Sequence, residues 1–139
     1  MRYLIDTNIF VYMSNDPDSL DRDVRAIVED YDSVLYLSTE SMKELVVAYR
    51  NKGLLSNYWQ NEGQMISFLL DSQFVLLPVK PEHIKTYADM QINEAQGYKD
   101  PSDHVIIAQA ITENMPLISS DKRFEFYRTQ GLDLIQNHK

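Results

Sequence analysis

Apolar positions along the chain follow two rhythms. Short runs at Arg2–Ile5, Val34–Leu37, Phe74–Leu77, Leu117–Ser119 and Leu132–Ile135 predict five strands. Between them, apolar residues recur three and four positions apart, as on one face of a helix. Leu20, Val24, Ile27, Val28 and Tyr31 form the first such stripe, and Met42, Leu45, Val46 and Tyr49 the second, closed by Gly53. Trp59, Ile66, Leu69 and Leu70 form a third. Pro81 opens a fourth, with Ile84, Tyr87, Ala88, Ile92 and Ala95 on one side and Gly97 as its stop. The segment 102–113 carries Val105, Ile106, Ile107, Ala108, Ala110 and Ile111, apolar on several sides, as in a largely buried helix. A short helix from Asp121 precedes the last strand.

Strands alternating with helices predict βαβ units and a parallel sheet. The strand runs are continuous rather than alternating, which fits a sheet covered on both faces. The expected fold is therefore α/β, in one domain over residues 1–139, with no repeat or long linker. A sheet of that kind places its ligand site beyond the carboxyl ends of its strands.

Four carboxylates fall at that edge. Asp6 ends the first strand, and Asp121 lies just past the fourth. Asp103 is in the first turn of the buried helix, and Glu44 is in the helix after the second strand. Each has a structural alternative. Asp6 or Thr7 could cap a helix. Ser41-Met42-Lys43-Glu44 matches a capping box. Asp100-Pro101-Ser102-Asp103 reads as an N-cap, a proline at the first helical position and an acid in the first turn, with Asp100 as the cap. Ser120 or Asp121 could cap the next helix. Capping alone, however, need not bring acids of four separate segments to one edge. Gathered carboxylates repel one another, and a bound divalent cation removes that cost.

Composition narrows the chemistry. With no cysteine, disulfides and thiolate metal sites are excluded. Oxygen ligands alone favour Mg2+ or Mn2+ over zinc. The net charge of −8 argues against nucleic-acid binding through a broad basic face, but not against a nuclease whose substrate phosphate is bridged by metal. The acidity also serves solubility. The N-terminal apolar run, Tyr3-Leu4-Ile5, is too short for a signal peptide or membrane span, so a soluble cytoplasmic protein is expected, with no membrane partner.

The fragments Leu4-Ile5-Asp6-Thr7-Asn8, Ser41-x-x-Glu44-Leu45, Asp103-x-x-Ile106-x-Ala108-x-Ala110 and Ser119-x-Asp121-x-x-Phe124 resemble, in order, the four signature segments of PIN-domain ribonucleases. The likeness is greatest to the bacterial VapC toxins of toxin–antitoxin pairs. Two positions depart from the pattern. A small residue is commoner where Ile107 stands, and Thr where Ser119 stands. The resemblance implies a five-stranded parallel sheet in the order 3-2-1-4-5, counting strands along the chain, which sets Asp6 beside Asp121 at the switch point. It implies Asp6 and Asp103 as metal ligands, with Asp121 completing the set or holding water. Glu44 would bind a second ion or orient water, and Thr7, Asn8 and Ser119 would fix the carboxylates by hydrogen bonds. It further implies an endoribonuclease acting on single-stranded or loop RNA to leave a 3′-hydroxyl, an antitoxin partner and a homodimer. A non-toxin PIN nuclease of RNA processing, or a catalytically silent binding module, are the other readings within the family.

Lys43, Arg50, Lys99, Lys122 and Arg123 are candidate phosphate contacts, set against plain surface charge. Tyr12, Tyr49 and Tyr98 could stack on bases, although Tyr49 lies on an apolar stripe and reads as core. His83, His104 and His138 show no metal-ligand spacing and read as surface histidines. Trp59 reads as core, and Asp16–Asp23 as a solvated acidic run. A receiver or phosphatase fits poorly, because Asp6 is followed by Thr7-Asn8 rather than by a second acid two residues on.

Overall fold

The computed structural model describes residues 1–53, 59–93 and 101–138. Its strands are β1 Arg2–Ile5, β2 Val34–Ser38, β3 Val75–Leu77, β4 Leu117–Ser119 and β5 Leu134–Gln136. Its α-helices are α1 Thr7–Asn15, α2 Arg22–Glu29, α3 Thr39–Lys52, α4 Glu62–Asp71, α5 Pro81–Asp89 and α6 Pro101–Glu113, with 3-10 segments at Pro17–Ser19 and Lys122–Gln130. The strands form one parallel sheet in the order β3-β2-β1-β4-β5, as the resemblance implied. Ile5 pairs with Leu37 on one side and Ile118 on the other, so the switch point lies between β1 and β4.

Both faces of the sheet are covered, which explains the unbroken apolar runs. Successive side chains on β1 divide between two cores, following the two-residue period of a strand. Leu4 packs with Ile106, Ile107, Leu117, Phe124 and Tyr127. Ile5 packs with Ile9, Phe10, Leu37, Leu45 and Met65. From Ser102 to Ala110, α6 is buried throughout, as its composition predicted. Ile107 is wholly buried within this packing. Among the described residues, no helix is long and apolar enough to cross a membrane.

Several local expectations change. Helix α1 follows β1 directly, and Asp6 is its N-cap, one of the two caps the sequence offered there, although no apolar stripe predicted the helix itself. Asn8, Val11, Tyr12, Ser14 and Asn15 are weak helix formers, and the helix is held by burying Ile9 and Phe10. Helix α3 begins at Thr39, two residues before the expected capping box, because Ser38 Oγ accepts from Glu40 N at 3.0 Å. Helix α5 ends at Asp89 with Met90 extended, before Ile92, while Ala95 and the expected stop Gly97 lie outside the described residues. Its inward residues are His83 and Tyr87, while Ile84 and Ala88 face out. The expected N-cap Asp100, together with Tyr98 and Lys99, lies outside the described residues. Strand β5 starts at Leu134 rather than Leu132, after the left-handed Gly131 (φ 101°).

Candidate active site

The parallel pairing of β1 with β4 brings Asp6 and Asp121 to one edge. Asp6 continues that ladder, its N–H donating to Ile118 O at 2.9 Å. Helices α3 and α6 bring Glu44 and Asp103 to the same place. All four acids, with Thr7, Asn8, Val11, Leu45, Ala48 and Arg123, line one open cavity of about 440 Å³. A larger cavity of about 540 Å³, lined by Met13, Val28, Leu35 and Phe74 among others, has only Glu29 and Asp30 as carboxylates and gathers no comparable chemistry.

Asp6 and Asp103 are buried, while Glu44 and Asp121 are partly exposed. Asp6 is held from two sides. Its Oδ1 accepts from Thr7 N at 2.8 Å, and its Oδ2 accepts from Ser119 Oγ at 2.8 Å. Ser119 Oγ in turn accepts from Asp121 N at 3.0 Å, so one hydroxyl joins the Asp6 carboxylate to the Asp121 main chain. Thr7 Oγ1 lies 2.7 Å from Glu44 Oε1 and 2.8 Å from Ser41 Oγ. A threonine hydroxyl has one proton. Given to the carboxylate, it leaves the Thr7 oxygen to accept from Ser41. Asn8 is exposed at the cavity wall.

Three contributors had not been placed in the site. Ser41, expected as a cap, is buried inside α3, one turn before Glu44 and on the same face. Glu40 and Ser102 link α3 to the head of α6, with Ser102 Oγ donating to Glu40 Oε2 at 3.0 Å. Lys43 Nζ lies 2.7 Å from the same oxygen, so this lysine is paired within its own helix.

At the cavity mouth, Asp121 accepts from Arg123 three times: Nε to Oδ1 at 3.0 Å, Nη2 to Oδ2 at 2.8 Å, and the backbone N–H to Oδ1 at 2.9 Å. Burial pushes the Asp121 carboxyl up. The guanidinium and the backbone N–H outweigh that push and hold it below the usual aspartate value. The other candidate bases lie apart from this arrangement. Arg50 pairs with Glu62 at 3.0 Å, and Lys122 is exposed. Tyr12, Tyr49 and Trp59 pack against the core under α1 and α3, and the Tyr49 hydroxyl donates to Trp59 O.

The histidines depart from expectation. His138 is exposed, but His83 and His104 are buried. The ring of His104 lies 5.8 Å from that of Tyr87 and 6.4 Å from that of Tyr127. His83 Nε2 is 2.8 Å from Glu113 Oε2, and a ligand atom each from Glu82, His83 and Glu113 lie within 4.8 Å of one another. That geometry alone would suit a cation, but the tautomer opposes it. Nδ1 accepts from Lys80 N at 2.9 Å, so in the neutral ring the proton sits on Nε2 and goes to Glu113. Metal-bound histidines instead donate from their second nitrogen.

A family model described as PIN domain matches residues 3–131. A comparison with curated proteins finds no match. Among solved structures, the chain is similar to VapBC2 from Rickettsia felis bound to a DNA fragment from its promoter, at 20% identity over 98% of both chains and a TM-score of 0.68. It is similar to VapBC-5 from Mycobacterium tuberculosis, described as a member of a family of toxin–antitoxin systems, at 19% identity over 97% of this chain and 98% of that one, with a TM-score of 0.65. It is also similar to DNA-bound VapBC from Salmonella typhimurium, at 14% identity over 98% of both chains and a TM-score of 0.69. At these identities the structural likeness speaks for the fold. PIN domains are in general nucleases. The family match runs from Tyr3 to Gly131 and takes in all four acids of the cavity, so the chain belongs to the PIN domain family.

Proposed function

We propose that this chain is a Mg2+- or Mn2+-dependent endoribonuclease that cuts single-stranded or loop RNA, and that it acts as the toxin of a toxin–antitoxin pair. The observation that carries the reading is the convergence of Asp6, Glu44, Asp103 and Asp121 on one open cavity beside the β1–β4 junction. Among the described residues lining it, the side-chain ligand atoms are carboxylate, hydroxyl and amide oxygens, with no thiolate or imidazole. That donor set fits a hard divalent cation. Asp6 and Asp103 are the ligands in this reading, Asp121 completes the set or holds water, and Glu44 serves a second ion or orients water. Bound there, the cation supplies activation of water and charge stabilisation at the departing oxygen.

The chain's own residues fix the geometry. Ser119 and the Thr7 N–H hold Asp6, and the Thr7 hydroxyl holds Glu44. Asn8 offers a donor and an acceptor at the wall. In the hydrolysis, the water oxygen bonds to phosphorus and the bond to the 3′ oxygen breaks. That oxygen takes a proton to become a 3′-hydroxyl, leaving a 5′-phosphate on the other fragment. An open groove admits a backbone that can be splayed, which favours unpaired RNA over a duplex. The toxin assignment is supported by the likeness to complexes described as toxin–antitoxin systems. The net charge of −8 suits a basic partner segment laid along the acidic groove.

The test is cleavage of a labelled unpaired RNA with Mg2+ or Mn2+ by the parent, Asp6→Asn and Asp103→Asn, each checked for folding by circular dichroism. The parent should cut, a chelator should stop it, and both variants should fall to background. Folded variants that cut at the parental rate would overturn the assignment.

A further inference from the structure

The grip of Arg123 on Asp121 has a bearing on how a cation enters. The guanidinium covers both carboxylate oxygens, and its side chain is about half exposed (52%) while that of Asp121 is mostly covered (18%). Among the described residues lining the cavity, Arg123 is the one cation. A guanidinium and a divalent ion make the same demand on a carboxylate, and two positive charges a few ångströms apart repel. They therefore compete for Asp121. Once turned away from it, a planar fork of N–H donors at the mouth of a nuclease cavity has an obvious second acceptor, the phosphate oxygens of a substrate. Arg123 can turn without disturbing the backbone, because the Arg123 N–H and Ser119 Oγ hold the Asp121 turn independently of the guanidinium.

We propose that Arg123 is a built-in placeholder for the cation. It occupies the Asp121 carboxylate in the metal-free protein, is displaced when a divalent ion takes that carboxylate, and then contacts a non-bridging oxygen of the substrate phosphate. The inference rests on the nuclease reading given above. It makes the arginine an opponent of metal binding and an ally of RNA binding, a pairing of signs that a merely structural arginine does not produce.

The experiment is a Mn2+ titration of metal-free protein by calorimetry, without RNA, on the parent and Arg123→Ala. Steady-state cleavage of an unpaired RNA by the same proteins accompanies it. Arg123→Ala should bind Mn2+ about two- to fivefold more tightly, the range expected when an ion pair at the cavity mouth no longer competes. Its KM for RNA should rise about tenfold, as for loss of a charged hydrogen bond to phosphate, with kcat less affected. Arg123→Lys, which keeps the charge without the fork, should fall between the two on both measurements. Arg123→Gln repeats the test if alanine disturbs the segment. Unchanged or weaker Mn2+ affinity in the alanine and glutamine variants overturns the placeholder while leaving the nuclease assignment standing. A parent that neither binds Mn2+ nor cuts RNA removes both.

Discussion

Ser119 and Asp6 stand 113 positions apart in the chain and share a hydrogen bond of 2.8 Å in the buried seam between β4 and β1. The Ser119 hydroxyl also accepts the Asp121 N–H at 3.0 Å. It therefore ties the Asp6 carboxylate to the main chain of the turn that carries Asp121. Ser119→Ala leaves a buried carboxylate oxygen and a backbone N–H each short of a partner. The expected loss of stability is about 1–3 kcal/mol. Divalent-ion affinity should fall about tenfold or more, as when a group orienting a ligand is removed. Ser119→Thr restores the hydroxyl at the expense of one extra methyl group and should recover most of the affinity. Chemical denaturation and Mn2+ titration of the two variants check both halves.

The sheet was legible because burial on both faces writes itself as unbroken apolar runs. Strands β1, β2 and β4 lie where those runs predicted, to within a residue. The site was legible because Asp6 and Asp121 follow strand ends, where a parallel sheet presents its ligands. What resisted reading depends on packing and local turn geometry that periodicity does not carry. Helix α1 is stabilised by burying Ile9 and Phe10, and beyond its cap, Asp6, its local residues do not advertise it. Ser41 satisfies a capping pattern with Glu44, yet its hydroxyl meets Thr7, which is 34 positions away. The imidazole of His83 looks like surface until Glu113 and Lys80 N are brought to its two nitrogens. The Asp121–Arg123 pair becomes visible only once the turn after β4 is known.

Asp21 offers a test of folded-state electrostatics away from the acidic cavity. It caps α2, accepting from Val24 N at 2.8 Å, and its second oxygen accepts from His138 N at 2.8 Å, tying down the end of the described chain. Burial pushes its carboxyl up, but these backbone donors, that of Asp23 and the charge of His138 outweigh the push and hold it below its ordinary value of 3.8. A carboxyl depressed in the folded state contributes stability that is complete above its unfolded value and is lost as pH falls through the folded one. Asp21→Ala should therefore be less stable than the parent at pH 7, by about 1 kcal/mol for the lost cap. The gap should narrow as pH drops below 3.8. Urea unfolding from pH 7 to pH 2 measures it, and a gap that widens on acidification would show the sign to be wrong.

The pair His83–Glu113 decides whether the second cluster of ligand atoms is a metal site or a strut between α5 and α6. Lys80 N donates to Nδ1 at 2.9 Å, and Nε2 faces Glu113 Oε2 at 2.8 Å. Both contacts are satisfied by a neutral ring carrying its proton on Nε2. A cation on Nε2 would have to displace that proton while Nδ1 still faced a donor, leaving two N–H dipoles opposed. The strut reading expects long-range 15N–1H spectra to show Nε2 protonated and Nδ1 bare, unchanged by added Zn2+. It expects Glu113→Gln, which keeps an acceptor for the ring N–H, to stay close to the parent in stability. Glu113→Leu, which leaves the buried ring N–H unpaired, should lose about 1–3 kcal/mol. If Zn2+ shifts the Nε2 resonance, and does so in the parent but not in Glu113→Gln, the strut gives way to a metal site on α5 and α6.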